Sequence, residues 1–223
     1  MMTIDDITSV YSKNLFTLVQ DEFYINENGN DAKVNKAIFT SKNASFIVSG
    51  EDLFKADFLY EKQVEFFYFK KHCDGFVICS LNGCHYLIWV ELKTGFNEVF
   101  NSAIYQISSC YVKAKSYLQC IDSYNSEDFE EFGIIVSRPD KKSINDIVLD
   151  RKESLVNPAE PSIIYKRRFR STGKIILKGD DFGQKRIKLS PDVQLKSLPV
   201  VHLETNNQEA TFDLLSIIKS VFP

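Results

Sequence analysis

The chain has 223 residues, of which 44% are hydrophobic and 26% charged, and its formal net charge is −3. A chain of this size and composition buries a core of its own, which excludes a small disulfide-stapled scaffold and a disordered polymer. The longest uncharged run, residues 75–90, is interrupted by Asn82-Gly83 and is too short to cross a bilayer. Acidic residues stand where a secretory signal would be basic, so we expect a cytoplasmic protein. From the length of the chain, we expect one domain overall.

Helical spacing dominates the beginning of the chain. Thr3 and Asp6 form a capping box, and apolar residues follow at intervals of three and four. These positions are Ile4, Ile7, Tyr11, Leu15 and Leu18. We therefore predict an N-terminal helical extension over residues 1–49, after which Ser49 caps a second helix that reaches residue 62.

Three strands are predicted next. Residues 64–69 are aromatic and β-prone, and residues 75–81 and 86–92 are apolar on both sides of Asn82-Gly83, a strong hairpin signal. A sustained 3.6-residue period over 96–121 predicts a long helix, and the pattern of 132–136 predicts a buried strand. The order from residue 50 is helix, three strands, helix, strand, which we take as an α/β core over 50–139.

The remaining residues, 140–223, are predicted to form a C-terminal extension with helices at 143–156 and 214–221. Residues 165–188 hold nine basic and two acidic residues, and we expect them to form a basic hairpin around 178–181. Such a segment is a candidate surface for nucleic-acid phosphates. Its candidate contacts are Lys166, Arg167, Arg168 and Arg170, with Tyr165 and Phe169 between them for stacking on unpaired bases. The alternatives are a solvated hairpin and a patch that docks on a second subunit.

The hairpin register brings charged residues together. With Asn82-Gly83 as a two-residue loop, Asp74 lies opposite Glu91, and opposed residues project from the same side of a sheet. Lys93, two positions beyond Glu91, projects there too. Two carboxylates and one ammonium therefore meet at the end of an otherwise apolar hairpin.

This charge balance favours a metal ion. Two opposed carboxylates repel each other, and Lys93 compensates only one of the two charges. Mg²⁺ suits carboxylate oxygens that leave room for water and phosphate, where it would polarise a phosphodiester and lower the pKa of a bound water. Lys93 would orient that water or stabilise the transition state. The alternative is a salt-bridge network that caps the end of the sheet.

The pattern of Asp74, Glu91 and Lys93 on consecutive strands resembles the PD-(D/E)XK nuclease superfamily. The resemblance implies a restriction-endonuclease-like αβββαβ core with a mixed central sheet flanked by helices, and an Mg²⁺ site in which Mn²⁺ can substitute. It also implies that Asp74, Glu91 and the Leu92 carbonyl bind the metal, and that Lys93 is catalytic. Gln106, with Tyr111 near it, resembles the helix glutamine that supports the site in RecB-like members.

The same resemblance implies an endonuclease acting on DNA, less often on RNA, such as a nucleic-acid-processing or phage-defence effector. Cutting both strands of a duplex would require a homodimer, and an activating partner protein is compatible with this class. Cys73 stands where many members have proline, and Glu51 and Glu61 are the candidates for a carboxylate on the first core helix. The rival function is a non-catalytic descendant of the fold that binds nucleic acid or a protein.

Overall fold

The computed structural model describes residues 2–27, 29, 32–49, 53, 72–95, 102–139, 161–182 and 189–222. Its helices are α1 (Ile4–Val10), α2 (Ile104–Leu118), α3 (Pro161–Thr172) and α4 (Leu214–Val221). Its strands are β1 (Phe16–Asn26), β2 (Lys36–Ser49), β3 (Gly75–Leu81), β4 (Cys84–Lys93), β5 (Glu130–Ser137), β6 (Lys174–Leu177), β7 (Leu198–Glu204) and β8 (Glu209–Asp213). Short 3₁₀ turns occur at Lys13–Leu15, Ser126–Asp128 and Gly179–Phe182.

These strands form one open, mixed sheet in the order β1-β2-β3-β4-β5-β7-β6, and β8 pairs with β2 outside this path. The strands from β1 to β4 are antiparallel neighbours. The chain then crosses through α2, so β5 lies parallel to β4, and β7 lies parallel to β5. The class is therefore α/β with helices flanking a mixed sheet, as the sequence predicts.

Each face of the sheet is covered by its own hydrophobic core. Phe76, Ile78, Leu87 and Trp89 belong to the core beneath α2, which also contains residues of α1 and α3. The alternate residues of the same hairpin, Val77, Cys79, Ile88 and Val90, belong to a second core with α4. Strands buried on both faces have continuous apolar runs, which explains the composition of β3 and β4. The two sides of the hairpin therefore pack into different cores.

The predicted hairpin register is also confirmed. Leu81 pairs with Cys84 and Gly75 with Val90, as a two-residue loop requires. Asn82 and Gly83 both have positive φ angles, 51° and 81°, which the favoured type of hairpin turn needs. This turn determines the position of every side chain at the opposite end of the hairpin.

The predicted N-terminal helical extension over 1–49 is wrong. The capping box at Thr3 forms, but α1 ends at Val10, and β1 and β2 follow as strands of the central sheet. The apolar spacing that continues to Leu18 is coincidental, because the residues from Phe16 onward are rich in β-branched and aromatic types that favour strands. On the side away from β4, β3 pairs with β2, whereas the predicted strand 64–69 lies outside the described residues.

The hairpin of β1 and β2 is bent. The register shifts between Gln20 and Glu22, and both Asp21 and Asn43 have a φ of 61°. Asp21 Oδ1 accepts a hydrogen bond of 2.8 Å from the Asn43 backbone, which ties the two strands together at the bend. Beyond it, Ile25 packs on Gly75 so closely that a Cβ on this glycine would lie 2.2 Å from Ile25 Cδ1. The far end of the hairpin therefore reaches the start of β3.

The predicted basic hairpin is wrong as well. Four of its nine basic residues lie on the helix α3, which begins at Pro161, a favourable first helical residue, and is followed by Gly173 with a φ of 67°. Residues 183–188 of this segment lie outside the described part of the chain. Tyr165 and Phe169, one helical turn apart, are 4% and 2% exposed and pack into the core. They are therefore unable to stack on bases, whereas helical spacing leaves Arg167 and Arg168 in solvent.

Other predicted elements have mixed outcomes. The strand β5 and the closing helix α4 are confirmed, and α2 confirms the described part of the predicted helix 96–121. The predicted helix after Ser49, except for Leu53, and the predicted helix 143–156 lie outside the described residues. All five cysteines are free thiols. Among the helices in the described ranges, none is long and apolar enough to span a membrane.

Candidate functional site

The candidate site lies where the β3–β4 hairpin ends, beneath α2. Asp74 precedes the first residue of β3, and its backbone N–H donates a hydrogen bond of 3.2 Å to Glu91 Oε2. Its carboxylate accepts a hydrogen bond of 2.7 Å from the Leu92 backbone N–H through Oδ2. In a continued strand pair, Leu92 would bond to residue 73, so the Asp74 side chain replaces a backbone acceptor there. The structure therefore brings Asp74 and Glu91 together, as predicted.

Lys93 completes this group from the end of β4. Its ammonium forms an ion pair with Glu91 Oε1, and the two side chains are 11% and 0% exposed. Glu91 thus lies in a desolvated position, with the Asp74 backbone at one oxygen and the Lys93 ammonium at the other. Both strands lie in the middle of the sheet and are paired on both sides.

The site contains more acidic than basic groups. Burial raises the pKa of Glu91 well above its usual range, and repulsion from Asp74 raises it further, although Lys93 opposes the change. Burial also raises the pKa of Asp74 to about 7, with further repulsion from Glu27. Burial alone would lower the pKa of Lys93, but Glu91 and Asp74 outweigh it, so this pKa is raised. Additional positive charge would therefore be stabilising here.

Glu27 is a member of this group that the sequence did not reveal. It follows β1 at the end of the bent hairpin, and its carboxyl group is near enough to Asp74 to raise the pKa of that residue. Its backbone N–H donates to the Asn35 carbonyl at 2.9 Å, and its Oε1 accepts from Gly29 at 3.1 Å. The predicted candidates for an additional carboxylate, Glu51 and Glu61, lie outside the described residues.

Gln106 contacts the backbone that leads into the site. Its Nε2 donates a hydrogen bond of 3.0 Å to the His72 carbonyl, two residues before Asp74. This contact holds the chain that enters the site, which is a positioning role. Tyr111 turns away from Gln106, because its hydroxyl donates to Glu131 Oε2 at 2.8 Å and its ring packs on Trp89.

Polar residues continue across the sheet from Lys93. Ser137 pairs with Lys93 in the β4–β5 register, and Ser137 Oγ lies 2.8 Å from His202 Nε2 on β7. Phe169 of α3 packs edge-on against the His202 ring. The helix with Lys166, Arg167, Arg168 and Arg170 therefore lies on the same face of the sheet as the carboxylates, two strands away from β4.

The donor atoms fit a divalent cation of the Mg²⁺ type. Asp74 and Glu91 supply two carboxylates, and the Leu92 carbonyl lies on the same side of β4 as its N–H, which faces Asp74. Mg²⁺ commonly takes one or two carboxylates and completes its shell with water and phosphate oxygens. In the described ranges, no three side chains of Cys, His, Asp or Glu are grouped closely enough to hold a metal ion by themselves.

Comparisons with known proteins give no relative: no family model, no curated protein and no solved structure matches this chain.

Proposed function

We propose that the chain is a divalent-metal-dependent nuclease that hydrolyses phosphodiester bonds of DNA, built on a restriction-endonuclease-like core. One observation carries the proposal: the partly buried Asp74 lies beside the fully buried Glu91 with Lys93 as partner, and repulsion between the two carboxyl groups raises the pKa of Glu91. A purely structural ion pair between Glu91 and Lys93 would not need a second carboxylate beside it. An uncompensated buried charge lowers the stability of the folded state by roughly several kcal/mol.

In this proposal, Asp74, Glu91 and the Leu92 carbonyl hold Mg²⁺ or Mn²⁺, which supplies charge stabilisation to the phosphate. Glu91 orients the Lys93 ammonium, and Lys93 directs the attacking water or stabilises the negative charge that develops on phosphate oxygens. Gln106 holds the backbone before Asp74 in place. Burial of these groups strengthens each electrostatic contact relative to water.

Charge on α3 supports nucleic acid as the substrate. Arg167 and Arg168 are exposed on the helix, and Lys166 and Arg170 are partly exposed. Because α3 covers the sheet face that carries the carboxylates, a strand bound at the site would lie on the same side of the sheet as these basic side chains. Such contacts to phosphates increase affinity without selecting a sequence.

Nicking of supercoiled plasmid DNA tests the function. We expect cleavage with Mg²⁺ or Mn²⁺, none with EDTA, and none with Asp74→Asn or Glu91→Gln. Glu130→Gln is the matched control, because Glu130 is an exposed carboxylate at the opposite end of the neighbouring strand β5. Unchanged cleavage by a purified Asp74 or Glu91 variant would refute the assignment. DNA binding without any cleavage by the wild type would support the non-catalytic alternative.

A further inference from the structure

A pocket with a volume of about 500 Å³ opens beside the candidate site. Its walls come from β1, the end of β2 and Asp74, and its polar lining includes Thr17, Gln20, Asn26 and Ser49. The volume lies within the range of small-molecule sites and is sufficient for one nucleotide. One wall is therefore the carboxylate that we place at the scissile phosphate.

The pocket results from the bend of the first hairpin. The bulge at Asp21, held by the Asn43 backbone, turns the far half of β1 toward Asp74. Contact between Ile25 and Gly75 then fixes the distance between β1 and β3 on this side. The pocket is therefore formed before any ligand binds, which lowers the entropic cost of binding.

The lining suits a flat, uncharged, hydrogen-bonding ring. Val19 and Val48 provide apolar surface, while the amides of Gln20 and Asn26 provide both donors and acceptors. Tyr24 also lines the pocket and is 56% exposed, with Lys36 Nζ 4.7 Å from its ring centre. The carboxylate of Glu22 disfavours a phosphate inside the pocket but can accept hydrogen bonds from the amino groups of bases.

We propose that this pocket binds one unpaired base of a DNA strand whose phosphate lies at Asp74, which makes single-stranded or frayed DNA the substrate. The inference rests on the proposed nuclease function and specifies which form of DNA that nuclease would cut. A base in a duplex is stacked and paired, so it enters such a pocket only after extrusion, at a cost of a few kcal/mol, roughly. A single strand avoids this cost and gains stacking on Tyr24.

Fluorescence anisotropy in EDTA tests the pocket separately from catalysis. The probes are a fluorescein-labelled 20-nucleotide DNA strand of mixed sequence and the blunt duplex of that sequence (a length of about two helical turns). We expect tighter binding of the single strand, and about tenfold weaker binding of it by Tyr24→Ala, with Asn26→Ala as a second variant. Duplex binding should not change. Leu18→Ala is the matched control, because Leu18 is a comparably exposed β1 residue, 52%, outside the pocket lining.

The outcomes separate the two proposals. Equal affinity for both probes, or wild-type single-strand binding by both Tyr24→Ala and Asn26→Ala, would overturn the base pocket whatever the cleavage assay shows. A Tyr24-dependent preference for the single strand supports the pocket. The same strand incubated with Mg²⁺ then measures the function: wild-type protein that binds it in this way and leaves it intact would overturn the nuclease proposal and not the pocket.

Discussion

Ser137 Oγ and His202 Nε2 lie 2.8 Å apart on the neighbouring strands β5 and β7, and Ser137 pairs with Lys93 of β4. The His202 side chain is only 3% exposed, and Glu204 Oε1 lies 3.9 Å from its Nδ1. Burial lowers the pKa of His202 to about 4 from its usual 6.5. The imidazole is therefore neutral at physiological pH in the folded protein.

The first prediction is that acid destabilises the protein through His202. The unfolded chain takes up a proton near pH 6.5 and the folded chain near pH 4, so stability is present above pH 6.5 and is lost as the pH falls toward 4. Between pH 7.5 and pH 5 this histidine should cost about 2 kcal/mol, measurable by urea unfolding. His85→Gln, which changes a half-exposed histidine also bonded to a serine, is the control for His202→Gln. A His202 ring titration by NMR near pH 6.5 would contradict the prediction.

Removal of a carboxylate from the site should stabilise the metal-free protein. Asp74→Asn keeps an oxygen that accepts from the Leu92 N–H and removes a charge that is repelled by Glu27 and Glu91. In EDTA we expect an increase of about 1–4 kcal/mol in the free energy of unfolding, with loss of cleavage. Urea unfolding measures it, and Glu130→Gln should change stability little. A clear loss of stability in Asp74→Asn would show that the charge is compensated without metal.

Lys93→Met should have the opposite effect on stability. It leaves Glu91 buried without its cation, at a cost of about 3–5 kcal/mol in the metal-free protein. Because the ligands remain, Mn²⁺ should raise the melting temperature of this variant more than that of the wild type, while turnover is lost. Thermal melts with and without Mn²⁺ measure both effects. A variant that cleaves DNA normally would remove Lys93 from the chemistry.

The basic helix should contribute to DNA affinity and not to turnover. Replacement of Arg167 and Arg168 with glutamine should weaken binding and reduce the slope of log K against log salt by about 0.7–0.9 for each phosphate that is no longer neutralised. Rates at saturating DNA should persist. Lys219→Gln is the matched control, since Lys219 is exposed on α4, which covers the other face of the sheet. An unchanged slope would mean that these arginines do not contact phosphates.

The packing of Ile25 on Gly75 should be essential for the shape of the site. Gly75→Ala inserts a methyl group 2.2 Å from Ile25 Cδ1, which should cost about 1–3 kcal/mol and move the hairpin that carries Glu27. Gly95→Ala meets open space and should be neutral. Because the clash involves two residues, Ile25→Ala should cost less in the Gly75→Ala background than alone. Additive urea-unfolding energies would show that the two residues do not interact.

The hairpin of the site was predictable because its information is local. Asn82-Gly83 specifies the turn, and the turn specifies that Asp74 lies opposite Glu91. The residues of α3 also held the signal of a helix, since Tyr165 and Phe169 are four apart after a proline, but the density of basic residues suggested a hairpin instead. The apolar spacing therefore predicted the secondary structure of this segment better than its composition did.

Glu27 was not predictable in the same way. Its approach to Asp74 depends on a bulge at Asp21, a second left-handed residue at Asn43, and the absence of a side chain at Gly75. Gly75 at the start of an apolar strand indicates close approach of another segment, but the sequence does not say which one. Long-range contacts of this kind follow from tertiary structure and not from local pattern.

The strand β8 has a consequence for the order of folding. Lys36 of β2 pairs with Glu209, and the Gln208 carbonyl accepts from the Asn35 N–H, while the Asn35 carbonyl accepts from Glu27. The carboxylate beside Asp74 is thus tied to a strand synthesised near the end of these 223 residues. Pairing between such distant segments is slow and waits for the later one to leave the ribosome. A nascent chain therefore carries Asp74, Glu91 and Lys93 well before this wall of the site is complete.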